Sequence, residues 1–116
     1  MAPALRSLKG DRAFQRLRKG HSGGARLLSV RWRPSREEGV RVGIVVSRKV
    51  GNAVVRNRVR RRLREALRTE LRARRPDGAD APGRDVIVIA RPQAAQADYH
   101  ALAAALGKAL DRSKFT

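Results

Sequence analysis

Residues 53–72 read AVVRNRVRRRLREALRTELR, and this stretch decides the fold. Apolar residues recur in it at steps of three and four, the spacing that places side chains on one face of an α-helix. The stretch also contains eight arginines against two glutamates, so its formal charge is +6. The pattern predicts a long amphipathic helix whose apolar face packs into a core. That apolar face consists of Val55, Val59, Leu63, Ala66, Leu67 and Leu71.

The opposite face of this predicted helix is strongly basic. On a helical wheel the residues that project from it are Asn57, Arg61, Arg68 and Arg72, with Arg58 and Arg64 at its flanks. A charged helix face is often only a solvated surface, but such surfaces usually mix both signs of charge. Crowding so many positive charges costs repulsion unless a polyanion relieves it. We therefore favour a face that binds a polyanion.

The composition of the whole chain agrees with a nucleic-acid partner. The 116 residues suffice for one domain with one core, so we expect a single domain over residues 1–116, with residues 1–9 as a mobile arm. The formal net charge is +18, and 23 of the 28 basic residues are arginine. Arginine favours planar, bidentate contacts to phosphate and stacking on bases over simple point-charge attraction.

Several classes of protein are disfavoured by what the sequence lacks. Without cysteine there is no disulfide framework and no cysteine-based zinc site. No apolar run approaches the roughly 18 residues of a membrane span, and the N-terminus lacks the apolar core of a signal peptide, so we expect a cytoplasmic protein with no membrane partner. His21 and His100 have no motif partner, and the acidic residues lack magnesium-binding spacing. A two-histidine nuclease is thus disfavoured, and we expect neither a catalytic residue nor a metal site in the protein.

The remaining periodicities predict one α+β fold. A first helix is expected over residues 11–19, ended by glycines at positions 20, 23 and 24. Strands are expected over residues 27–33 and 40–47, joined by a turn that suits a hairpin. The apolar run over residues 86–90 indicates a buried central strand, and a last helix follows an N-cap at Asp98. This order predicts a two-layer sandwich in which helices pack on one small mixed sheet.

The junction between the second strand and the long helix suits an anion. It reads SRKVGN over residues 47–52, and Asn52 is a good N-cap for the helix. The backbone N–H groups and the dipole of a helix N-terminus favour negative charge, and Arg48 and Lys49 lie beside them. The strand before this junction has small side chains on one face, at Gly43 and Ser47, so that face could pack closely or accept an extended ligand.

Residues 43–64, GIVVSRKVGNAVVRNRVRRRLR, resemble the protein subunit of bacterial ribonuclease P. The resemblance extends from residues 8–9 to residues 112–115. Its motif is ordered: a strand ending in Ser and two cations, then Gly-Asn-Ala, then Arg-Asn-Arg opening a basic helix. It implies an αβββαβα order with a left-handed crossover through the arginine helix, against the usual preference. It also implies a single RNA-binding domain whose partners are ribonuclease P RNA and precursor tRNA, with no DNA partner expected.

By this resemblance the protein binds RNA rather than cutting it. The catalytic RNA, with Mg²⁺ bound mainly by that RNA, would cleave the 5′ leader from precursor tRNA, and the protein would be a subunit of that endoribonuclease. The positions that match docking on the catalytic RNA are Arg56, Asn57, Arg58, Arg60, Arg61 and Arg64. A cleft between the first helix and the sheet would hold the single-stranded leader, and its matching positions are Phe14, Ser47, Arg48, Lys49, Asn52 and Arg91.

Two positions depart from the family pattern. An aromatic residue often follows Phe14 by one helical turn, where this chain has Arg18. A second aromatic residue, in the strand after the first glycines, is replaced by Arg31. We include both arginines among the leader-binding residues. We therefore expect leader binding to depend more on charge and guanidinium stacking than on aromatic stacking.

Two other classes of function use a basic helix. A structural RNA-binding protein, such as a small ribosomal protein, has the same composition but needs no leader cleft. Only a ribonuclease P protein is expected to lower the Mg²⁺ requirement of ribonuclease P RNA, which separates the two. A helix that lies on a membrane needs large apolar side chains to insert, and this one has no Trp or Phe. For RNA docking, six phosphate contacts predict a log-log salt slope of about −4.

Overall fold

The structure, a computed structural model, describes residues 6–8, 15–36, 39–74 and 83–115. Residues 15–17 are helical and are the described part of the predicted first helix; its expected start at residue 11 lies outside the described residues. Apart from a short N-terminal strand and a 3₁₀ helix, which were not predicted, the other elements follow the αβββαβα order that the resemblance implies. They are β1 (Arg6–Ser7), β2 (His21–Gly24), β3 (Leu28–Ser35), β4 (Val40–Val45), α1 (Ala53–Arg74), β5 (Gly83–Ala90), a 3₁₀ helix (Pro92–Gln96) and α2 (Tyr99–Arg112).

A five-stranded mixed sheet forms one layer of the fold, with the strand order β1-β4-β5-β3-β2. β5 is central, parallel to β4 and antiparallel to β3. All of β5 is buried except Arg84 and Ile89, which are half-buried. The prediction of a buried central strand is therefore confirmed. The parallel strands β4 and β5 are connected through α1, as the expected crossover requires. The left-handed sense of this crossover remains an expectation from the family resemblance.

The expected hairpin between strands 27–33 and 40–47 is wrong. The corresponding strands, β3 and β4, are not neighbours, because β5 inserts between them. β3 also runs on through Pro34. Proline is tolerated there because β2 begins at His21, opposite Trp32, which leaves that side of β3 beyond Trp32 without a partner strand among the described residues. Turn length alone did not reveal which strands pair.

The two helices α1 and α2 pack on one face of the sheet and form the second layer. The predicted apolar face of α1 is confirmed, since five of its six residues are buried and Val55 is half-buried. The last helix, α2, also buries an apolar face, which includes Leu102, Leu106, Ala109 and Leu110. A single hydrophobic cluster joins both helices to β3, β4 and β5. The packing leaves the opposite, arginine-rich side of α1 facing outward.

Both predicted N-caps are confirmed. Asn52 Oδ1 accepts a hydrogen bond from the backbone N–H of Val55 at 3.0 Å. Asp98 Oδ1 accepts one from the backbone N–H of Ala101 at 2.8 Å. Each bond satisfies an N–H group that the first turn of a helix otherwise leaves unpaired. The cap at Asn52 fixes the residue at which α1 begins, and with it the position of the basic face.

Two of the glycines predicted to end the first helix, Gly23 and Gly24, lie in a strand. His21–Gly24 is strand β2, paired with β3. Gly23 is needed because α2 lies directly on this strand: a Cβ at Gly23 would collide with the carbonyl oxygen of Ala109 and the backbone nitrogen of Ser113. The glycine therefore marks a close approach of two backbones rather than a chain reversal.

The N-terminal arm is partly incorporated into the sheet. β1 pairs in parallel with β4, and the backbone N–H of Leu8 donates to the carbonyl oxygen of Val42 at 2.7 Å. Leu8 is buried with Leu17 and Ile87 on the sheet face opposite α1 and α2. Residues 6–8 therefore correct the expectation of a mobile arm, while residues 1–5 and 9 lie outside the described residues.

Candidate nucleic-acid interface

Five of the predicted site residues lie together at the edge of the sheet where β4 and β5 end. The two strands are parallel, with Val45 opposite Ile89, so the residues that follow them emerge at the same edge. The five residues are all exposed. We call them the strand-end cluster: Ser47, Arg48, Lys49, Asn52 and Arg91.

The turn that carries most of this cluster is anchored from inside. Val50 is buried, and its backbone N–H donates to the carbonyl oxygen of Ser47 at 3.1 Å. Gly51 lies so close to α1 that a Cβ there would come within 2.9 Å of the Val55 side chain. The compact turn holds Arg48 and Lys49 next to the N-terminus of α1. Backbone N–H groups and two cations are therefore available to an anion at the same place.

Arg91 extends the cationic edge across the sheet. Its backbone N–H donates to the carbonyl oxygen of Leu27 at 2.9 Å. Its Nη2 atom lies 3.4 Å from the position that a Cβ would take at Gly24. The guanidinium of Arg91 therefore lies over the end of β2, while its backbone continues β5. Positive charge thus follows the sheet edge from β4 to β2.

The sheet face opposite α1 and α2, which we call the open face, is the candidate leader cleft. Val45, Ile89 and Ser29 form a row across β4, β5 and β3, and all three are only half-buried. The next row of side chains on this face lies further from the strand-end cluster and contains Ile87. Ile87 is buried and packs with Leu17 of the helical segment 15–17. That segment covers one part of the open face and leaves the neighbouring row accessible. A partly apolar surface bordered by cations suits the bases and phosphates of an unpaired strand.

Arg18 and Arg31, the two departures from the family pattern, are in direct contact. Arg31 Nη1 donates a hydrogen bond to the carbonyl oxygen of Arg18 at 3.2 Å. Because Arg31 lies opposite Ile87 on the open face, this bond connects the face to the end of the helical segment. The structure therefore brings both arginines to the candidate cleft. Phe14, the remaining predicted leader contact, lies outside the described residues.

The basic face of α1 begins next to the strand-end cluster. Asn57, Arg61 and Arg64 are exposed, whereas Arg56, Arg58 and Arg60 are half-buried. Arg60 donates to Asn57 Oδ1 at 2.9 Å, so these two side chains orient each other. Neither Arg61 nor Arg64 forms a hydrogen bond or ion pair with any residue that the structure describes. Their guanidinium groups are accessible for external phosphates.

Arg58 and a further arginine of α1, Arg62, form hydrogen bonds with the chain that follows β5. Arg58 Nη2 donates to the carbonyl oxygen of Ala95 at 3.1 Å, and Arg62 Nη1 donates to that of Ala97 at 2.8 Å. These bonds fasten the 3₁₀ helix to α1. Arg58, predicted to bind RNA, therefore also has a structural role. Arg62, which the family pattern leaves out of the interface, shares that role.

Two arginines near the C-terminal end of α1, Arg68 and Arg74, are paired with carboxylates within the protein. Arg68 pairs with Glu65 at 3.2 Å. Arg74 lies 3.3 Å from Glu70 and 2.8 Å from Asp111, measured between guanidinium nitrogen and carboxylate oxygen. It also donates to the carbonyl oxygen of Gly107 at 3.1 Å. Over residues 53–64, by contrast, α1 contains six arginines and no acidic residue, so most of its uncompensated positive charge lies in the part that begins beside the strand-end cluster.

The described residues form no cluster of metal-ligating side chains. Within them, no group of three His, Cys, Asp or Glu side chains is placed to hold a metal ion. His21 stacks on Trp32 with ring centroids 4.5 Å apart, and His100 meets Tyr99 at 5.7 Å, so each histidine contacts a different ring. Nor does any helix in the described ranges have the length and hydropathy to cross a membrane. What the arrangement can do is attract and orient a polyanion.

Sequence reasoning missed two further residues of this surface. Val54 is 73% exposed in the first turn of α1, two residues after Asn52. Its position in the sequence, off the apolar face of the predicted helix, could have indicated that this valine is exposed. Arg112 Nη1 donates to the carbonyl oxygen of Gly24 at 2.6 Å, close to Arg91. No sequence signal points to this contact, because it depends on how α2 packs against β2.

Comparison with known proteins relates the chain to one family. The family model described as Ribonuclease P matches residues 2–114. The ribonuclease P protein component of Thermus thermophilus is 51% identical over 109 residues, which make up 94% of this chain and 60% of that relative. The chain thus spans about 60% of the length of the curated relatives that it matches.

Solved structures share the fold. The RNase P protein of Staphylococcus aureus is 32% identical, with 97% of each chain covered and a TM-score of 0.78. The RNase P protein from Thermotoga maritima is 27% identical, with 87% of this chain and 91% of that chain covered and a TM-score of 0.71. These similarities confirm the α+β fold and the order of elements that the sequence predicts.

Proposed function

The chain belongs to the ribonuclease P protein family, and from that premise we propose that it is the protein subunit of a ribonuclease P ribonucleoprotein. In this role it binds the catalytic RNA and the single-stranded 5′ leader of precursor tRNA in the cytoplasm, and so promotes endonucleolytic 5′ maturation of tRNA. The observation that carries the proposal is the meeting of two cationic surfaces at one end of the sheet. They are the basic face of α1 and the strand-end cluster.

The basic face of α1 is the surface proposed for the catalytic RNA. Arg61 and Arg64 present guanidinium groups that can make bidentate contacts with phosphate. Arg60 and Asn57 orient each other and present N–H donors together. The buried apolar face of α1 already fixes the helix in place. Binding of RNA by these donors therefore does not cost the entropy of ordering the backbone. The residues proposed to contact this RNA are Arg56, Asn57, Arg58, Arg60, Arg61 and Arg64.

The open face and the strand-end cluster form the surface proposed for the leader. Unpaired nucleotides would lie along the half-buried row at Ile89, with Arg18 and Arg31 on one side and the cluster at the end. Mature tRNA has no leader and makes none of these contacts. The protein therefore favours precursor over product through binding energy alone, which is how a subunit without catalytic groups can raise the efficiency of cleavage.

Bond cleavage is assigned to the RNA in this proposal. Mg²⁺ prefers carboxylate and water oxygens, and the described residues offer no cluster of acidic side chains to hold it. The cation-rich interface would also repel a bare metal ion. We therefore assign no catalytic residue to the protein, and we expect Mg²⁺ to be held mainly by the catalytic RNA.

Reconstitution with a bacterial ribonuclease P RNA tests the function. We expect the holoenzyme to bind precursor tRNA at least about tenfold more tightly than mature tRNA, and the RNA alone to show little such preference. Equal binding of precursor and mature tRNA by the holoenzyme would contradict the leader-binding role. The protein should also lower the Mg²⁺ requirement for cleavage. Tight RNA binding with an unchanged Mg²⁺ requirement would favour the alternative of a structural RNA-binding protein.

The contact between Arg18 and Arg31 gives a test of leader recognition. The double variant Arg18→Ala/Arg31→Ala should weaken holoenzyme binding of precursor tRNA about tenfold, because two cations leave the open face. Binding of mature tRNA should not change. Fluorescence titration of both RNAs measures the two affinities. Unchanged precursor affinity in this variant, together with loss of binding in Phe14→Ala, would show that aromatic stacking rather than charge holds the leader.

A further inference from the structure

A groove of about 510 Å³ lies at the same sheet edge as the strand-end cluster, but on the helical side. It is bounded by residues 25–27, the 3₁₀ helix and one side of α2. Its walls are mostly small apolar side chains, and those supplied by α2 are Ala101, Ala104 and Ala105. Ala101 and Ala104 are exposed and have no part in the core. Packing therefore does not account for this side of α2.

The rim of this alanine groove combines amides with cations. Gln93 and Gln96 of the 3₁₀ helix, Arg26 and Lys108 all line it and are all exposed. None of the four forms a hydrogen bond or ion pair with a residue that the structure describes. Among the described residues that line the groove, none is acidic. The rim can therefore hold an anion, while side-chain amides can pair with the polar edge of a base.

The groove is continuous with the proposed leader surface. Arg91 Nη2 lies 3.4 Å from the position of a Cβ at Gly24, and Gly24 precedes the groove wall at Ala25. Arg91 also precedes the 3₁₀ helix that supplies Gln93 and Gln96. Arg91 and Gly24 therefore stand between the open face and the groove. A single strand that passes over them enters the groove directly.

We propose that the alanine groove binds an unpaired nucleotide from the distal part of a long 5′ leader, upstream of the nucleotides on the open face. This inference rests on the proposed function of leader binding. The size of the groove lies in the range of pockets that enclose a small ligand, which suits one nucleotide rather than a duplex. The leader is favoured over the catalytic RNA because the groove adjoins Arg91, and the residues that line it include none from α1.

The test compares two precursor tRNAs bound by the reconstituted holoenzyme. One carries a short leader of about four nucleotides and the other a long leader of about ten, lengths in the usual range of single-strand sites. We expect the long leader to bind about fivefold more tightly. Ala104→Leu fills the groove with a residue of good helix propensity and should remove this gain. The affinity for the short leader, which does not reach the groove, should be retained.

Two matched variants control the experiment. Ala104→Ser keeps the groove open and should keep the gain from the long leader. Ala73→Leu makes the same substitution at an exposed position of α1 outside the groove, and should also keep it. A second probe, Arg26→Ala with Lys108→Ala, should reduce the log-log salt slope for the long leader by about 1.4, the value for two single-strand phosphate contacts. The slope for the short leader should not change.

The outcomes separate this inference from the proposed function. If Ala104→Leu leaves the gain from the long leader intact, or weakens short and long leaders equally, the groove is not a distal leader site. If the wild-type holoenzyme gains nothing from the longer leader but still prefers the short-leader precursor over mature tRNA, this inference is overturned and the proposed function stands. If the holoenzyme does not prefer precursor over mature tRNA at all, both are overturned.

Discussion

The two ends of α1 use arginine for different purposes. At the C-terminal end, Arg74 is held by Glu70, Asp111 and the carbonyl oxygen of Gly107. Closer to the N-terminal end, Arg61 and Arg64 are exposed and have no such partner among the described residues. One helix therefore contains arginines that stabilise the packing of α1 on α2 and arginines that are accessible to RNA.

This difference shows that composition alone does not tell how much positive charge is available to bind RNA. The partners of each arginine within the protein must be considered as well. An arginine beside two carboxylates contributes little to the field outside the protein. An arginine that donates to a carbonyl oxygen, as Arg58 and Arg62 do, keeps its full charge and can still attract phosphate. Arg58 and Arg62 are therefore an intermediate case. Each side chain stabilises the fold through a hydrogen bond and also contributes to the positive electrostatic potential outside the protein.

Charge reversal at the two accessible arginines should have the largest effect. The double variant Arg61→Glu/Arg64→Glu is expected to weaken binding to ribonuclease P RNA about 100-fold, because each charge-assisted hydrogen bond to phosphate is worth roughly 1.5 kcal/mol. Thermal stability should be unchanged, since both side chains are exposed and unpaired within the described residues. Filter binding at moderate salt measures the affinity.

The matched control reverses two arginines in the C-terminal half. Arg68→Glu with Arg72→Glu changes the net charge by the same amount and should cost less than about tenfold in affinity. Equal losses for the two double variants would show that RNA binding responds only to total charge. The distinction between residues 53–64 and the C-terminal part of α1 would then have no functional meaning.

The fold elements that the sequence predicted are those decided locally. The apolar face of α1 and the N-cap at Asn52 depend on residues within one or two helical turns, so periodicity and capping rules sufficed. The pairing of β3 was mispredicted because its partner, β5, comes from a distant part of the chain. The close approach at Gly23 was not predicted because its cause, the backbone of α2 at Ala109, is equally distant in sequence.

The candidate site was predictable to the same extent. The junction at residues 47–52 could be interpreted as an anion site because strand end, turn and helix start are contiguous. The contact of Arg31 with Arg18 and the partners of Arg74 could not, because each depends on which elements the fold brings together. The family resemblance supplied Arg91, and register with β4 then explains why it lies beside Ser47.

Removing Arg74 should have the next largest effect, and on stability rather than binding. Arg74→Ala is expected to lower the free energy of unfolding by about 2 kcal/mol, because the variant lacks the bond to a carbonyl oxygen and leaves two carboxylates unpaired. Urea denaturation measures this change. Arg72→Ala, at an exposed neighbour, should change stability by less than about 0.5 kcal/mol. A loss of RNA affinity in Arg74→Ala without a loss of stability would assign Arg74 to the interface instead.

The N-cap of α1 gives a smaller effect that separates structure from binding at one position. Asn52→Ala should lower the free energy of unfolding by about 1 kcal/mol, since the N–H of Val55 no longer has its cap oxygen. Asn52→Asp keeps a cap oxygen and should retain stability, but it places a negative charge in the strand-end cluster and should weaken precursor binding. Circular dichroism and RNA titration give the two values. If Asn52→Asp binds precursor as tightly as the wild type, Asn52 serves only as a cap.

The smallest effect concerns two single arginines on the same helix. Arg64→Ala should lower the log-log salt slope of RNA binding by about 0.7, the value for a single phosphate. Arg68→Ala should lower it by clearly less, because Glu65 already neutralises that guanidinium at 3.2 Å. Titrations at four or more salt concentrations resolve the two slopes. Because an exposed ion pair is itself worth less than about 1 kcal/mol, RNA could break the Arg68 pair on binding. Equal slopes for the two variants would show that it does, and that ion pairs in the free protein do not decide which arginines of α1 meet the RNA.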